Sequence, residues 1–461
     1  MKKHLFNSIT VAILFCFNGL INVTNAQSLA SGGYHSLFLC SSGTVQSVGK
    51  NEFGQLGNGT GFGIYTPGPV STLSGITKVA AVGEHSLFLK NDGTVWSVGY
   101  NVSGQLGDGT TVNKNIPIQV IGLTGIEKIA SGYYSSLFLK SDGTVWGVGN
   151  NAAGNLGDGT TVNRSSPVQA LGLTGITEVS AYYHTLFLKN DGTVWGVGNN
   201  QFGQLGNGTY ETTSTIGQVP GVSGISSVSA GYFYSLFLKS DGTVWSAGRN
   251  DSGQLGDGTT LGRPNAVQVV GLSGITSISA GRSHAVFLKN DNTVWAVGAN
   301  WSGQLGDGTT VNKRTPIQVT GLSDIIEVVA GWDNSFFLKS DGTVWATGLN
   351  NNGQLGDGTN VNRNTAIQVT SLCSVSLGIN NTTLENSISV YPNPFSEQLI
   401  IETNEYQNTT VEIYNLQGQL LQSIPLELSE NIINTSNLIS GFYLVKVKSP
   451  KRIITKKIVK N

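Results

Sequence analysis

Charge is scarce in this chain. Only 11% of its 461 residues are Asp, Glu, Lys or Arg, and 26 basic against 27 acidic side chains leave a formal net charge of −1. Holding nucleic acid through its phosphates takes a strong basic field, so no nucleic-acid partner is expected. Cysteine is nearly absent, with three in all, and the five histidines are not grouped with them, so no Cys/His metal motif is present. No apolar run after the N-terminus approaches the ~18 residues of a membrane-spanning helix, and no membrane span is expected. A G-x-S-x-G elbow and a phosphate-cradling loop with a following lysine are also missing, which argues against an enzyme and against a nucleotide cofactor.

Glycine is plentiful, at 62 residues, and much of it lies in a phrase close to G-Q-L-G-D-G-T that begins at Gly54, Gly104, Gly154, Gly203, Gly253, Gly303 and Gly353. Short β-rich runs repeating at a period of about 50 residues signify a propeller with one four-stranded blade per unit. One unit reads as strands at Ile126–Ser131, Ser136–Lys140, Thr144–Gly149 and Pro167–Ala170, with Asp142-Gly143 turning the middle hairpin. The expected fold is all-β, a seven-bladed β-propeller over residues 27–372. Trp96, Trp146, Trp195, Trp245, Trp295 and Trp345 share one repeat position as wedges between blades. Unit one has Gln46 there, and is expected to be the least tightly packed.

The H-S-L-F-L-K strand, the D-G-T-V-W hairpin and the N-x-x-G-Q-L-G-D-G-T loop resemble the regulator of chromosome condensation repeat family, from about Ser28 to Leu372. That resemblance implies a binding propeller. The family includes a nuclear exchange factor for a small GTPase and secreted bacterial relatives that inhibit β-lactamase, so inhibition of an extracellular enzyme is the best-defined alternative to general binding. A glycan-active enzyme is the reading from another class. A catalytic carboxylate pair on one loop face would be its mark.

The loop aspartates Asp108, Asp158, Asp257, Asp307 and Asp357, with Asn58 and Asn207 in the remaining units, each offer one carboxylate or amide per blade and do not make a calcium shell; capping of a tight turn explains them. His35, His85, His184 and His284 fall at one repeat position and are spread round the ring, so neither a metal site nor a catalytic dyad is expected. Catalytic, metal and cofactor-binding residues are therefore expected to be none. Where the units disagree is the loop between the first and second strands, which should share a face with the loop between the third and fourth. Aromatics gather there: Tyr34, Tyr133, Tyr134, Tyr182, Tyr183, Tyr232, Phe233 and Trp332 on the first loop, and Phe53, Phe202 and Trp301 on the second. A ring of large, rigid side chains is a candidate face for a protein or polysaccharide ligand, carried by a monomer.

Residues 1–26 read as a secretory signal, with Lys2 and Lys3, an apolar stretch from Val11 to Leu20, and a small-residue end at Ala26. After a polar linker at 373–388, residues 389–461 carry Val390-Tyr391-Pro392-Asn393-Pro394-Phe395 and Gly441-Phe442-Tyr443-Leu444-Val445, and resemble the C-terminal sorting domain of type IX secretion. The resemblance implies a small β-sandwich read by the type IX machinery, and a protein that is secreted or attached to the outer cell surface. Loss of Cys16 with the leader leaves Cys40 and Cys373. Strand directions put Cys40 at the hairpin end of unit one and Cys373 just past the last strand of unit seven, so ring closure is expected to bring them to bonding distance. Cys40 also stands where the other units have lysine.

Overall fold

A computed structural model describes residues 26–373, 388–403, 406–415, 418–449 and 453–461; the leader and most of the linker lie outside them. Two compact units divide the chain at Ser374. Among the described residues no helix is long and apolar enough to cross a membrane.

In the first unit, a tight hairpin begins each blade's register, Asp-Gly in five blades, Ser42-Gly43 in blade one and Asp291-Asn292 in blade six. Asp92 Oδ1 accepts the Thr94 N–H at 2.9 Å and the Thr94 hydroxyl at 2.6 Å, while Gly93 takes φ +77°. Asn292 adopts the same left-handed conformation at φ 63° where glycine is replaced. The strands on either side pair antiparallel, as in Leu139 with Val145 and Phe138 with Trp146. Blade one comprises Ala26–Ser31, His35–Cys40, Val45–Gly49 and Ile64–Pro69, four consecutive strands hydrogen-bonded in chain order. Six further sheets repeat it, ending with Arg363–Gln368 in blade seven.

The fourth strand of the unit quoted above is longer than its sequence suggests, running Arg164–Gln169. Arg164 pairs with Gly149 across an irregularity in the ladder, so its first half is polar, half-exposed outer edge without an apolar signature. Middle strands are apolar on both faces because each sheet is covered twice. Trp195 of blade four packs with Leu137, Leu156 and Phe187 in a cluster shared with blade three, and Trp96, Trp146, Trp245, Trp295 and Trp345 likewise pack against the blade before their own.

No strand is exchanged at the ring's seam, where both flanking blades are complete in themselves. Blade one and blade seven meet through Leu29, Phe38, Val48, Phe336 and Leu338. Polar bonds reinforce the contact: Ser31 Oγ donates to Asn334 Oδ1 at 3.1 Å and Ser36 Oγ to the Gln354 carbonyl at 2.9 Å. Cys40 and Cys373 are joined by a disulfide, with Cα atoms 5.5 Å apart. Gln46 explains the missing tryptophan: its Oε1 accepts the Cys373 N–H at 2.9 Å. Unit one is therefore not loosened, and Leu37, Phe38 and Leu39 are 0% exposed. In blades two to five a lysine reaches over the tryptophan at these two positions, as Lys239 does over Trp245 at 4.6 Å; at the seam both positions serve Cys373 instead.

The second unit contains a three-stranded sheet (Ile388–Tyr391, Gln398–Thr403, Glu430–Asn434) and a four-stranded sheet ordered Leu420–Pro425, Thr410–Tyr414, Gly441–Lys448, Ile453–Lys460. Alternating residues of both, including Leu399, Ile401, Val411, Ile413, Val445 and Val447, form one buried core with Phe395 and Ile458.

Candidate functional site

The glycine ending each third strand turns the chain back over its own blade. Gly99 holds φ +111°, and a Cβ there would lie 2.6 Å from the Glu84 carbonyl oxygen, so no other residue fits the bend. That bend ties the two variable loops of a blade together, as in Tyr100 N–H to Glu84 carbonyl and Lys50 N–H to Tyr34 carbonyl, both 2.9 Å. The two loop sets thus share one face.

On this face the aromatic rings meet each other rather than only their own blades. Tyr34 lies edge-on to Trp332 with centroids 4.7 Å apart, and Trp332 reaches Tyr133 of blade three at 5.8 Å, on the far side of the ring's axis. Tyr133, Tyr183 and Phe233 stack in sequence at 5.1 and 5.5 Å, and Phe202 continues the series at 4.8 Å from Phe233. Tyr134, Tyr100 and Phe53 extend it the other way at 5.6 and 4.8 Å, and Tyr232 packs on Tyr182, Tyr183 and Phe233. Tyr182 is only 5% exposed and forms the floor under this layer. Trp301 stands apart, 47% exposed with no ring partner among the described residues, and acts on Asp333 instead.

Burial raises the phenol pKa of Tyr34, Tyr133, Tyr134, Tyr182 and Tyr183, so these rings are neutral hydroxyl bearers. Three cations edge the layer. Lys50 lies over Tyr34 and Phe53 and contacts Glu84 at 3.0 Å and Glu52 at 3.1 Å; burial lowers its pKa, but these two carboxylates outweigh it and leave the pKa raised. Arg249 lies over Phe202 and donates Nε and Nη2 to Asp251 at 2.7 and 2.5 Å. Arg282 lies over Trp332 and Tyr232, 5.0 and 5.9 Å from their centroids, with Asp333 at 3.2 Å. Sequence comparison among the units passed over Lys50, Tyr100 and Arg249. The signal was available: the residue after the third-strand glycine is Lys50, Tyr100, Asn150, Asn199, Arg249, Ala299 or Leu349, as variable as the loop that was singled out.

Beneath Tyr182 and Trp332 an axial cavity of about 250 Å³ is lined by the innermost strands, with Ala30, Ala80 and Ala130 on one side and Ser180, Ser229 and Ser279 on the other. Those serine oxygens accept the N–H groups of Ala230, Ala280 and Ala330 at 2.9, 3.0 and 2.9 Å, stitching blade to blade. Glu178 and Glu327 pin neighbouring blades in the same manner, Glu178 to Ser227 and Glu327 to Ser28. On the aromatic face Glu84, Asp251 and Asp333 each pair with a different cation, an arrangement unlike an acid–base couple.

The histidines and loop aspartates have structural work. Each of the four described histidines is 0% exposed and bonds through Nε2 to a hydroxyl of the next blade: His35 to Ser86, His85 to Ser136, His184 to Ser235 and His284 to Ser335, at 2.7–3.0 Å. Asp108 Oδ1 accepts the Thr110 N–H at 2.9 Å and the amide of buried Asn101 at 3.2 Å, closing its turn. Among the described residues no group of three or more His, Cys, Asp or Glu is placed to hold a metal.

Seven self-contained blades and one loop face of variable residues define a repeat propeller that presents a surface rather than a pocket. The chain belongs to the RCC1-like domain family, whose model matches residues 74–384, with regulator of chromosome condensation (RCC1) repeats also matched at 26–55 and 42–89. Residues 389–461 match the secretion system C-terminal sorting domain, so this is a secreted or cell-surface protein. Human WBSCR16 is similar at 25% identity and a TM-score of 0.63, over 69% of this chain and 88% of that one. Yeast RCC1 (Prp20), solved bound to Kap60, is 18% identical with a TM-score of 0.64, over 85% and 93% of the two chains, and shows the fold alone. No curated protein matches the chain.

Proposed function

We propose that this is an exported, non-catalytic binding propeller that grips a partner protein through its aromatic loop face. One observation carries the reading: rings from blades one to five and seven interlock across the axis into a single layer, so the side-chain entropy of binding is spent before a partner arrives. A protein suits this layer better than a polysaccharide. A sugar stacks on an open ring face, whereas Tyr183 is stacked against both Tyr133 and Phe233, a tyrosine-rich composition like that of protein-binding paratopes. Inhibition of an extracellular enzyme is one form such binding could take.

Screening the protein against purified cell-envelope proteins and a glycan array tests this reading. Tyr133→Ala, Tyr183→Ala or Phe233→Ala is expected to weaken the partner by roughly 1–3 kcal/mol each. Trp332→Ala, which removes the ring bridging the axis, is expected to cost stability as well. Unchanged affinity in all four would move the binding surface elsewhere. Export makes a separate prediction: the mature protein should begin near Gln27 and lack the region after about Val390, and intact mass of protein outside the cell checks both ends.

A further inference from the structure

The aromatic face carries three cations, and two are used up by their neighbours. Lys50 holds two carboxylates, and Arg249 meets Asp251 through two nitrogens. Arg282 differs. A single contact at 3.2 Å joins its Nη1 to Asp333 Oδ2, and its remaining guanidinium N–H donors have no hydrogen-bond partner among the described residues. Its side chain is 40% exposed, while that of Asp333 is 7% exposed. The paired carboxylate is therefore buried, whereas the guanidinium that carries the free donors is part-exposed.

Surroundings strengthen what those donors can do. Trp332 and Tyr232 flank the guanidinium, and Trp332 is held in turn by Tyr34 and Tyr133. A cation walled by aromatic rings is screened from water on its sides, so a charge-assisted bond made there is stronger than one on an open surface. Burial raises the pKa of Asp333 more than Arg282 lowers it, so the internal partner is a reluctant anion. Trp, Tyr and Arg packed at the centre of a face is also the composition of an interface hot spot.

We infer that Arg282 is the receiving group for a partner protein's carboxylate, an Asp or Glu side chain or a C-terminus set among apolar neighbours, which enters the Trp332–Tyr232 collar and bonds the free guanidinium donors. The inference rests on the aromatic face being the contact surface. A planar fork matches a carboxylate as a lysine ammonium does not, and the collar accepts the apolar group that bears it.

The test is a titration of the full chain with benzoate, benzamide and glucuronate, followed by ligand-observed NMR. Benzoate is expected to bind saturably, at least about tenfold more tightly than the isosteric neutral benzamide, and more weakly as salt is raised. Arg282→Met, which keeps an apolar stem between the rings, is expected to abolish that preference with the melting temperature unchanged; Arg282→Lys is expected to retain only part of it. Asp333→Asn removes the competing internal anion and should tighten benzoate several-fold, a gain that a merely structural arginine would not show. Equal binding of benzoate and benzamide, or an unaltered preference in Arg282→Met, overturns the proposal, and preference for glucuronate over benzoate overturns a protein as the source of the carboxylate. If benzoate fails while Tyr133→Ala still loses the macromolecular partner, the face stands without its carboxylate subsite; if both fail, the face itself is misassigned.

Discussion

Reducing the bond between Cys40 and Cys373 is expected to destabilise the propeller by up to about 5–6 kcal/mol, the loop-closure entropy of a cross-link spanning so long a stretch of chain. The sequence separation is 333 residues, nearly the whole ring. The effect is large because so long a loop is left open in the unfolded chain when the bond is cut; among the described residues the folded seam otherwise rests on side-chain packing and a few hydrogen bonds such as Ser31 to Asn334. For a unit of this size 5 kcal/mol corresponds to a fall in Tm of roughly 7 °C. Thermal unfolding with and without reductant measures it, with Cys40→Ser/Cys373→Ser as the control that removes thiol chemistry. A melting curve indifferent to both would show that the seam's noncovalent contacts suffice.

Acid is expected to act as strongly, through the four buried histidines. Each partner hydroxyl gives its one proton away, Ser86 to the Gln55 carbonyl, Ser136 to Gln105, Ser235 to Gln204 and Ser335 to Gln304, so it must accept from the histidine. Nε2 is thereby fixed as a protonated donor, and burial favours the neutral ring. Burial lowers the pKa of His35 and His184 to about 3 and of His85 and His284 to about 4. The unfolded chain titrates near about 6.5. A folded pKa below the unfolded one means that stability is full above about 6.5 and is lost as pH falls, because the unfolded state binds the protons. By about pH 5 the four together withdraw roughly 8 kcal/mol.

Glu327 works the other way. Burial raises its pKa to about 7, above the usual carboxylate range, so the folded state takes up a proton as pH falls toward 5 and recovers about 2–3 kcal/mol. Glu178 and Asp333, also raised by burial, return some more. The expected net loss between about pH 7 and pH 5 is up to roughly 5 kcal/mol, read as a Tm that falls steadily over that range. Replacing one histidine by asparagine, the residue that blade seven already uses at Asn334, should reduce the slope by one proton. A flat profile in the parent protein would show that the imidazoles are not locked neutral.

The repeat made most of this propeller legible without coordinates. Blade number, the Asp-Gly hairpins and the inter-blade tryptophans follow from periodicity and turn chemistry, which are local. Two kinds of feature did not. The outer half of the fourth strand carries no apolar signal, because residues such as Arg164 and Ser165 are polar and half-exposed, and Arg164 is held by an ion pair to Asp158 rather than by apolar packing. Gln46 looked like a packing defect because its value depends on a residue hundreds of positions away, the Cys373 N–H, which only ring closure supplies. The aromatic residues could be assigned to one face, but not their meeting across the axis. Contact between Tyr133 and Trp332 depends on the width of the opening, which no repeat unit encodes by itself.

The disulfide also determines where tension would travel. Pulling on the chain beyond Cys373, as export or a tether through the C-terminal segment would do, loads that residue first. Without the bond, the force would unzip Arg363–Gln368, an outer strand paired on one side only, and blade seven would peel. With it, the load passes to Cys40, whose strand is clamped between Ala26–Ser31 and Val45–Gly49. The propeller can thus be towed by its tail without unravelling from it.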